Sequence, residues 1–446
     1  MPLKLGFKQF DFDLIISRRR PFMLRILHTA DWHLGQSFHG YDRDHEHSLF
    51  LDWLLGTLAE RRIDALLIAG DIFDSVNPSA SAQRRFFDFL ARAHAALPAL
   101  QIVITAGNHD AGARLEAPSG LLESLNITVI GTVFRDSTGA IDLRRFLVPL
   151  KDASGKAGAL AVALPFLRPS DVPEMPDSPD SYLDGVRELY RRAIEAALAL
   201  REREYPNVPL LALGHCHIQD GAESRDSERR IVIGGAEALR ADTFPACLAY
   251  VALGHLHKPQ GIAGGRIHYS GSPIPLSFSE KDYAHRVVQV VFETAESATI
   301  EDVPVPKSAA LQRLPDEMAA PIETVLKILA ESVFDSGLPP ESHPFLEVRV
   351  LDDGPDPMRR RRIELALEGK AVRLASIKLE RPARMEGTTE DDAGTSPVLA
   401  DLGSLDPEEI VLSAHRERFG SEPDPAMLTA LREILAGTPP TAAASR

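Results

Sequence analysis

Five short apolar segments, each followed at once by Asp, Asn or His, constrain this chain more than any other feature. The segment ends read TADWH at 29–33, AGD at 69–71, AGNHD at 106–110, LGHCH at 213–217 and LGHLH at 253–257. Each apolar segment is as long as a fully buried strand. In open α/β sheets the carboxyl ends of the strands lie on one edge, where ligands bind. A single polar ending has a bland explanation as a satisfied turn, but five of them predict one shared site.

The residue types at these endings predict a metal site. Asp, Asn and His supply oxygen and imidazole ligands but no thiolate, and this set suits manganese, iron or zinc acting on phosphate. In a two-metal site, one carboxylate bridges ions about 3.5–4 Å apart. A glycine precedes Asp71, Asn108, His215 and His255. We expect these glycines to let the turns bend tightly.

Apolar periodicity predicts an α/β layered domain over residues 23–302, because short apolar strands alternate with helical stretches. The predicted strands are Leu24–Thr29, Ala65–Ala69, Gln101–Thr105, Ala159–Leu164, Leu210–Leu213, Tyr250–Leu253 and Val287–Phe292. The predicted helices are Asp44–Arg61, Ser79–Ala96 and Ser181–Glu204.

The remainder of the chain reads as smaller units. A Pro-rich stretch, Val303–Pro315, predicts a linker at the start of a small α+β domain over 303–382. The elements predicted in that domain are a helix at Pro321–Val333, a strand at Phe345–Leu351, a helix at Pro357–Leu367 and a strand at Val372–Leu379. A polar flexible linker is predicted over 383–400, and two amphipathic helices over 401–446. Such a helix pair either docks on a partner or packs back on its parent domain.

Composition excludes some classes of protein. The chain has 64 acidic and 49 basic residues, a net charge of −15, so it is not a free-standing nucleic-acid binder, although bound metal ions or a basic partner still allow a nuclease. Two cysteines imply no disulfide framework, and no apolar run approaches a membrane span, so a cytoplasmic location is expected. We interpret residues 1–22 as an N-terminal extension, because Met23 opens directly into the first strand; the alternative is a basic arm.

The motifs D-x-H, G-D-x-x-D, G-N-H-D, G-H and G-H-x-H, in this order, resemble the calcineurin-like metallophosphoesterase superfamily. Longer stretches, among them HTADWHLGQSF, ITAGNHD, YVALGHLHKPQ and YSGSPIPLSFSE, resemble the SbcD family of nuclease subunits within it. The similarity is strong over residues 23–300 and weaker beyond. The resemblance implies a layered metallophosphoesterase sandwich of two mixed sheets flanked by helices, with a small α+β capping domain and C-terminal helices.

The resemblance also implies a role for each motif residue. Two divalent ions would bind here, with Mn²⁺ as the expected metal, and Asp31, His33 and His257 would hold one of them. Asn108, His215 and His255 would hold the other, and Asp71 would bridge both. His109 would contact the scissile phosphate and assist the leaving oxygen. Asp74 would orient His109.

The function implied by the resemblance is a metal-dependent DNA nuclease: an ATP-dependent double-strand exonuclease and single-strand endonuclease that also cleaves hairpins. A homodimer would work with an SbcC-like coiled-coil ATPase, bound through residues 401–446, in DNA repair and recombination. No Walker A loop occurs in the chain, so ATP use belongs to the partner. The alternatives are a metallophosphodiesterase for small substrates and a mainly structural subunit of the ATPase complex.

Several other polar residues invite a site assignment that we do not make. His217 lies two residues after His215, but a solvated or strand-edge position is the simpler interpretation. Cys216 and Cys247 are expected to be small core residues. We expect the His39, His45 and His47 cluster to be a solvated polar face, and Asp110 to stabilise its turn. The Arg359–Arg362 run is expected to be solvated, with a phosphate contact as second choice.

Overall fold

A computed structural model of the chain describes residues 24–152, 154–219, 221–224, 228, 238–294, 298–381 and 427–428. The chain divides into two compact units, Met1–Pro382 and Ala383–Arg446. The predicted extension 1–22 and linker 383–400 lie outside the described residues, as do the C-terminal helices, except that Met427 and Leu428 are helical. The domain boundaries given above remain predictions.

Strands and helices alternate through the described part of the first unit. The strands are β1 Leu24–Thr29, β2 Ser37–Phe38, β3 Tyr41–Asp42, β4 Ala65–Ala69, β5 Gln101–Thr105, β6 Ile127–Ile130, β7 Leu147–Lys151, β8 Ala157–Ala163, β9 Leu210–His215, β10 Leu248–Gly254, β11 Gln260–Ile262, β12 Ile267–Tyr269, β13 Arg286–Phe292, β14 Ala298–Pro304, β15 Leu311–Leu314, β16 Phe345–Leu351 and β17 Arg373–Glu380. The α-helices are α1 Asp44–Glu60, α2 Ala80–Ala96, α3 Gly112–Glu116, α4 Ser119–Glu123, α5 Ser181–Glu204, α6 Ile322–Glu331 and α7 Arg359–Ala366.

Two six-stranded mixed sheets form the body of this unit, as predicted. The first has the order β14-β13-β1-β4-β5-β6, and the second has the order β11-β12-β10-β9-β8-β7. β1, β4, β5 and β6 run parallel, as do β8, β9, β10 and β12. Parallel strands covered on both faces are continuous apolar runs, which is why β1, β4 and β5 could be read from sequence.

Apolar side chains from the two sheets meet in one core. Leu24, Ile26 and Leu67 of the first sheet share a buried cluster with Leu211 and Tyr250 of the second. The outer face of the first sheet is covered by α1 and α2, whose Phe50, Leu54, Phe86 and Phe89 surround the buried Trp32. Ser79 caps α2 by accepting a hydrogen bond from the N–H of Ala82. The sandwich thereby fixes both sets of strand ends on a packed scaffold.

The small α+β domain is a three-stranded parallel sheet, β15-β16-β17, with α6 and α7 packed on it. It contacts the sandwich through an aromatic cluster in which Phe345 lies against Phe38 and Tyr41, and Phe38 lies against Phe278. The guanidinium of Arg373 lies 3.5 Å from the centre of the Phe345 ring. These contacts hold the capping domain beside the 271–280 loop.

Some sequence expectations are wrong. Val303–Pro315 is not wholly a linker, because it contains the end of β14 and all of β15. Both are edge strands, where proline is tolerated, and proline hid them. Arg359 is buried and donates to the carbonyl of Gly354, so the solvated-face expectation fails for this arginine.

Candidate metal centre

The predicted ligands lie at the carboxyl ends of strands in both sheets. Asp31, Asp71 and Asn108 follow β1, β4 and β5, which are neighbours in the first sheet. His215 ends β9, and His255 follows β10, its neighbour in the second sheet. Because the sheets face each other, the structure brings the two sets of ends together.

The backbone is strained at the site. Asp31, His33, Asp71 and His255 have positive φ angles of 55°, 47°, 50° and 107°. Non-glycine residues rarely adopt this region, and such strain persists only where the surrounding fold enforces it. These unfavourable backbone conformations are concentrated among the residues that turn from a strand into the site.

The glycines of the motifs act mainly through close approach, and only Gly70 of the four has a positive φ. A Cβ at Gly107 would lie 2.1 Å from Oδ1 of Asp71, and one at Gly254 would lie 1.9 Å from the carbonyl oxygen of Ala69. The expectation that all four glycines bend tight turns was therefore wrong for three of them.

Three groups of side chains lie close enough to hold an ion, and two of them consist entirely of predicted ligands. The ligand atoms of Asp31, His33 and His257 are all within 4.8 Å of one another, and all three residues are buried. Asp31, Asp71 and His215 form a second such group.

Asn108 joins the second group and links it to His255. Its Oδ1 lies 2.9 Å from Nε2 of His215 and 3.2 Å from Nδ1 of His255. Asn108, His215 and His255 therefore lie side by side, and their assignment to one ion stays a prediction.

The carboxylate of Asp71 lies between the two halves of the cluster. Its Oδ2 is 3.6 Å from Nε2 of His33 and 3.4 Å from Nε2 of His215. Its Oδ1 accepts a hydrogen bond from the N–H of His109, which fixes the orientation of the carboxylate. One oxygen is thus held by the protein, and the other faces both histidines.

Each of three histidines is oriented through Nδ1, so that Nε2 faces the centre. Nδ1 of His33 lies 3.2 Å from Oδ1 of Asp74, and Nδ1 of His257 lies 3.0 Å from Oε1 of Glu280. Nδ1 of His215 lies 2.9 Å from the carbonyl oxygen of Ala69. Partners of this kind fix the ring orientation and tautomer of metal-binding histidines.

His109 stands beside the cluster. Its ring lies 4.7 Å from the ring of His33, and its Nδ1 lies 2.8 Å from the backbone carbonyl oxygen of Asp74. Its nitrogen and the carboxylate of Asp74 also lie within 4.8 Å of each other in a group with His33. Asp74 thus positions His109 through its backbone and His33 through its side chain.

The site fits divalent ions on its own chemistry. Oδ2 of Asp31 and Nε2 of His33 are buried without a hydrogen-bond partner, an arrangement that is costly unless an ion binds there. The backbone N–H of His255 donates to the other oxygen of Asp31. The unpartnered atoms are an oxygen and an imidazole nitrogen, which are ligands that Mn²⁺ or Zn²⁺ accepts.

The pKa values at the site reflect burial and close contacts between carboxylates and imidazoles. Burial raises the pKa of Asp31 to about 7. Burial would lower the pKa of His215, but the carboxylates of Asp71 and Asp31 raise it to about 9. Burial likewise disfavours a charged His257, but Glu280 raises its pKa to about 9. Cations bound among these groups would supply the positive charge that protons otherwise bring.

Two carboxylates support the site from outside the predicted ligand set. Glu280 is fully buried, and its second oxygen accepts hydrogen bonds from the hydroxyl of Ser272 and the N–H of Leu276. Glu228 accepts from the N–H of His257. Sequence reasoning missed both, although Glu280 ends the SGSPIPLSFSE stretch that carried part of the resemblance.

Asp110 stabilises its own turn, as expected, and also contacts a second turn. Its carboxylate accepts hydrogen bonds from the backbone N–H groups of Gly107, Ile72 and Phe73, so it ties the GNHD turn to the turn after β4.

The polar residues to which we assigned no site role differ in how well they match the burial expected of them. His217 is partly exposed, with Nε2 3.6 Å from Glu223. Cys247 is exposed, so its assignment to the core was wrong, whereas Cys216 is partly buried against the core. His39 and His45 are exposed, but His47 is fully buried, because it lies on the face of α1 that is turned toward the sandwich.

Comparison with known proteins agrees with this geometry. Residues 24–259 match the model of the calcineurin-like phosphoesterase family, and residues 308–418 match the type 5 capsule protein repressor C-terminal domain. The SbcD component of the SbcCD nuclease from Rhodobacter capsulatus is 40% identical over 392 residues, which cover 88% of this chain and 94% of the relative. The chain belongs to the SbcD family of nuclease subunits. The SbcD proteins of Escherichia coli K12 (34% identical; 67% of this chain, 72% of the relative) and Bacillus subtilis (39%; 63% and 69%) are also similar.

As an SbcD family member, the chain is a metal-dependent enzyme of the metallophosphoesterase class and a nuclease subunit. The second family match, over residues 308–418, covers the capping domain, which lies outside the sandwich. Among the described residues, no helix has both the length and the apolar character to cross a membrane.

Proposed function

We propose that this chain cleaves DNA phosphodiesters with two divalent ions, with Mn²⁺ as the expected metal, as the nuclease subunit of a cytoplasmic complex with an SbcC-like ATPase. The observation that carries the proposal is the position of Asp71, whose Oδ2 faces Nε2 of both His33 and His215. A carboxylate between two ligand groups is what a two-metal phosphodiesterase requires.

Seven residues would hold the ions: Asp31, His33 and His257 one, Asn108, His215 and His255 the other, with Asp71 between them. When bound, the ions supply Lewis-acid polarisation of the phosphate and a nucleophilic water at neutral pH. The protein shields the ligands from bulk solvent and fixes them, because all of the carboxylate and imidazole groups among them are buried.

His109 would handle the phosphate. A carbonyl only accepts hydrogen bonds, so Nδ1 of His109 carries the proton that faces Asp74. Its Nε2 is then available to bind a phosphate oxygen and, when protonated, to give its proton to the leaving oxygen. The exposed edge of His109 is small, since the residue is only 7% exposed, so this contact forms in a site largely shielded from water.

DNA and the ATPase are proposed as substrate and partner because the homologues carry the SbcCD name. In the proposed complex this chain pairs with an SbcC-like chain, and residues 401–446 are the proposed docking segment. A homodimer of this chain within the complex completes the proposal. Two unpaired cysteines, Cys216 and Cys247, accord with a reducing cytoplasm.

The test compares linear duplex, hairpin and single-stranded DNA, end-labelled, with Mn²⁺, with and without the ATPase and ATP. We expect single-strand cleavage by the chain alone, and duplex and hairpin cleavage only with the ATPase. Hydrolysis of a chromogenic phosphodiester without any cleavage of DNA would instead indicate a small-substrate enzyme. Inactivity on every substrate would indicate a structural subunit.

A further inference from the structure

The loop after β8 reaches the metal centre from the second sheet, and no function above uses it. The loop residues Pro165–Arg168 begin two residues after Ala163, the last residue of that strand. The ring of Phe166 lies 6.2 Å from the ring of His215, nearly perpendicular to it. The loop therefore borders the ion that Asn108, His215 and His255 would hold.

The loop is held firmly. The N–H of Phe166 donates to the carbonyl oxygen of Ala106 at 2.7 Å, one residue before the GNHD turn. The hydroxyl of Tyr182 donates to the carbonyl of Leu167 at 2.7 Å. A rigid loop at a site preorganises whatever its side chains bind.

A cavity opens beside His215 between this loop and α5. Its walls are apolar and aromatic: Phe166, Tyr182, Leu183, Val186 and Cys216 contribute to them. Nucleobases stack on aromatic side chains whatever their identity, so an aromatic ring at the wall of a cavity can accept a base.

Arg168 lies beside the Phe166 ring with its charge unpaired among the described residues. Its side chain is exposed, and it forms no ion pair with any carboxylate in the described part of the chain. Its Nη2 donates to the carbonyl oxygen of Asp110, the residue after His109, and its guanidinium lies 5.8 Å from the centre of the Phe166 ring. In a chain of net charge −15, a free cation next to the centre fits a phosphate.

We infer that Phe166, Tyr182 and Arg168 form a nucleotide subsite beside the metal centre: the base next to the scissile phosphate enters the slot against Phe166, and Arg168 binds the neighbouring phosphate. This inference rests on the proposed DNA cleavage and specifies how the strand is held. The subsite reads no sequence, because stacking and a phosphate contact are common to every nucleotide.

The test of the slot pairs a protein change with a substrate change. Short single-stranded oligonucleotides, each with one abasic residue at a different position, are cleaved with Mn²⁺ by the wild type and by Phe166→Leu, which keeps an apolar side chain but loses the ring. We expect the wild type to cleave about tenfold more slowly where the abasic residue flanks the cut on one side. Phe166→Leu should cleave normal DNA about tenfold more slowly than the wild type does, and the abasic residue should slow it no further.

The phosphate contact has its own readout. Arg168→Gln should raise the KM for single-stranded DNA and flatten the salt dependence of kcat/KM by a slope of about 0.7, the loss of one phosphate contact. Phe134 and Arg145 form a matched control, an exposed ring under a guanidinium at 5.1 Å elsewhere on the surface. Phe134→Leu and Arg145→Gln should leave both measurements unchanged.

The outcomes separate the subsite from the function. The base-binding role of Phe166 is wrong if the abasic residue does not change the wild-type cleavage rate at any position. It is also wrong if the abasic residue still slows cleavage by Phe166→Leu. An unchanged salt slope in Arg168→Gln overturns the phosphate contact. A wild type that cuts none of the oligonucleotides overturns the proposed function, and the subsite with it. Unchanged Mn²⁺ content in both variants excludes damage to the centre as the cause of a loss.

Discussion

Glu280 illustrates how a buried carboxylate that is not a predicted metal ligand can orient a residue that is, His257. It contacts Nδ1 of His257, and its own position is fixed by Ser272 and Leu276. Glu280 lies two residues after Phe278. The Phe278 ring packs on Phe38 at the junction with the capping domain.

Loss of the Glu280 charge should weaken metal binding. Glu280→Gln keeps an oxygen near Nδ1 of His257 but removes the charge that makes the imidazole a better ligand, so Mn²⁺ affinity should fall about 10-fold or more. Calorimetric titration of Mn²⁺ into the metal-free protein measures this. Glu301→Gln, in an exposed ion pair with Arg61, is the control. An unchanged Mn²⁺ affinity would show that Glu280 only supports the loop.

His28 makes the fold sensitive to acid. Burial lowers its pKa to about 3, and its Nδ1 lies 3.0 Å from the hydroxyl of Tyr250. Between pH 6.5 and pH 3 the unfolded chain binds a proton here that the folded chain excludes, so stability falls as the pH falls. Relative to the wild type, His28→Asn should lose about 2 kcal/mol less between pH 8 and pH 5. Urea unfolding of the metal-free proteins at both pH values measures the difference, and parallel pH profiles would refute it.

How far the site could be predicted from sequence depends on the range of the contacts. Asp31, Asp71 and Asn108 could be placed near one another from sequence because each closely follows its strand, so local pattern and sheet topology suffice. Glu280 and Phe166 were missed, because they reach the centre from loops whose paths depend on tertiary packing. No local periodicity distinguishes either residue from an ordinary loop carboxylate or aromatic.

The strand-to-turn junctions set the geometry at the element scale. Gly107 lets the end of β5 approach the turn after β4 so closely that a Cβ would touch Asp71. Gly107→Ala should therefore displace the Asp71 carboxylate and abolish most Mn²⁺ binding and cleavage. Gly56→Ala, inside α1 with nothing near the new Cβ, should instead stabilise the fold by about 1 kcal/mol. Metal content, cleavage rates and urea unfolding compare the two; normal Mn²⁺ binding by Gly107→Ala would contradict the close-approach argument.

Fold prediction succeeded for some elements and failed for others for a physical reason. β1, β4 and β5 are covered on both faces, and their continuous apolar runs give them away. β14 and β15 are edge strands with polar residues and nearby prolines, so their sequences resemble a linker. The apolar pattern alone identifies strands that are buried in the core. Edge strands lack that pattern, because they are held mainly by hydrogen bonds to one neighbouring strand.

At the scale of the whole molecule, the net charge bears on how the chain would hold DNA. A chain of net charge −15 would not hold long DNA by general electrostatics, so under the proposed function the attraction would come from local contacts such as Arg168 and from a basic partner. The predicted C-terminal helices carry apolar faces, formed by Ile410, Leu412 and Phe419 in one and by Leu428, Leu431, Ile434 and Leu435 in the other.

Removal of residues 401–446 should abolish co-purification with the ATPase, because the apolar faces would no longer be available to bury. Mn²⁺-dependent cleavage of single-stranded DNA by the shortened chain should stay close to that of the full chain. Ile410→Asp in the full-length chain is a milder test of the same surface. A shortened chain that still co-purifies at full strength would show that the partner binds elsewhere.

The central claim, that seven ligands hold two ions while His109 acts on the phosphate, is tested most directly by the Mn²⁺ content of His109→Ala, read beside its rate on single-stranded DNA. We predict two ions per chain, as in the wild type, and cleavage slower by about a hundredfold or more. Asp71→Asn, which weakens the bridging carboxylate, should lose ions and cleavage together. Loss of an ion from His109→Ala, or cleavage by it at a near wild-type rate, would contradict the account.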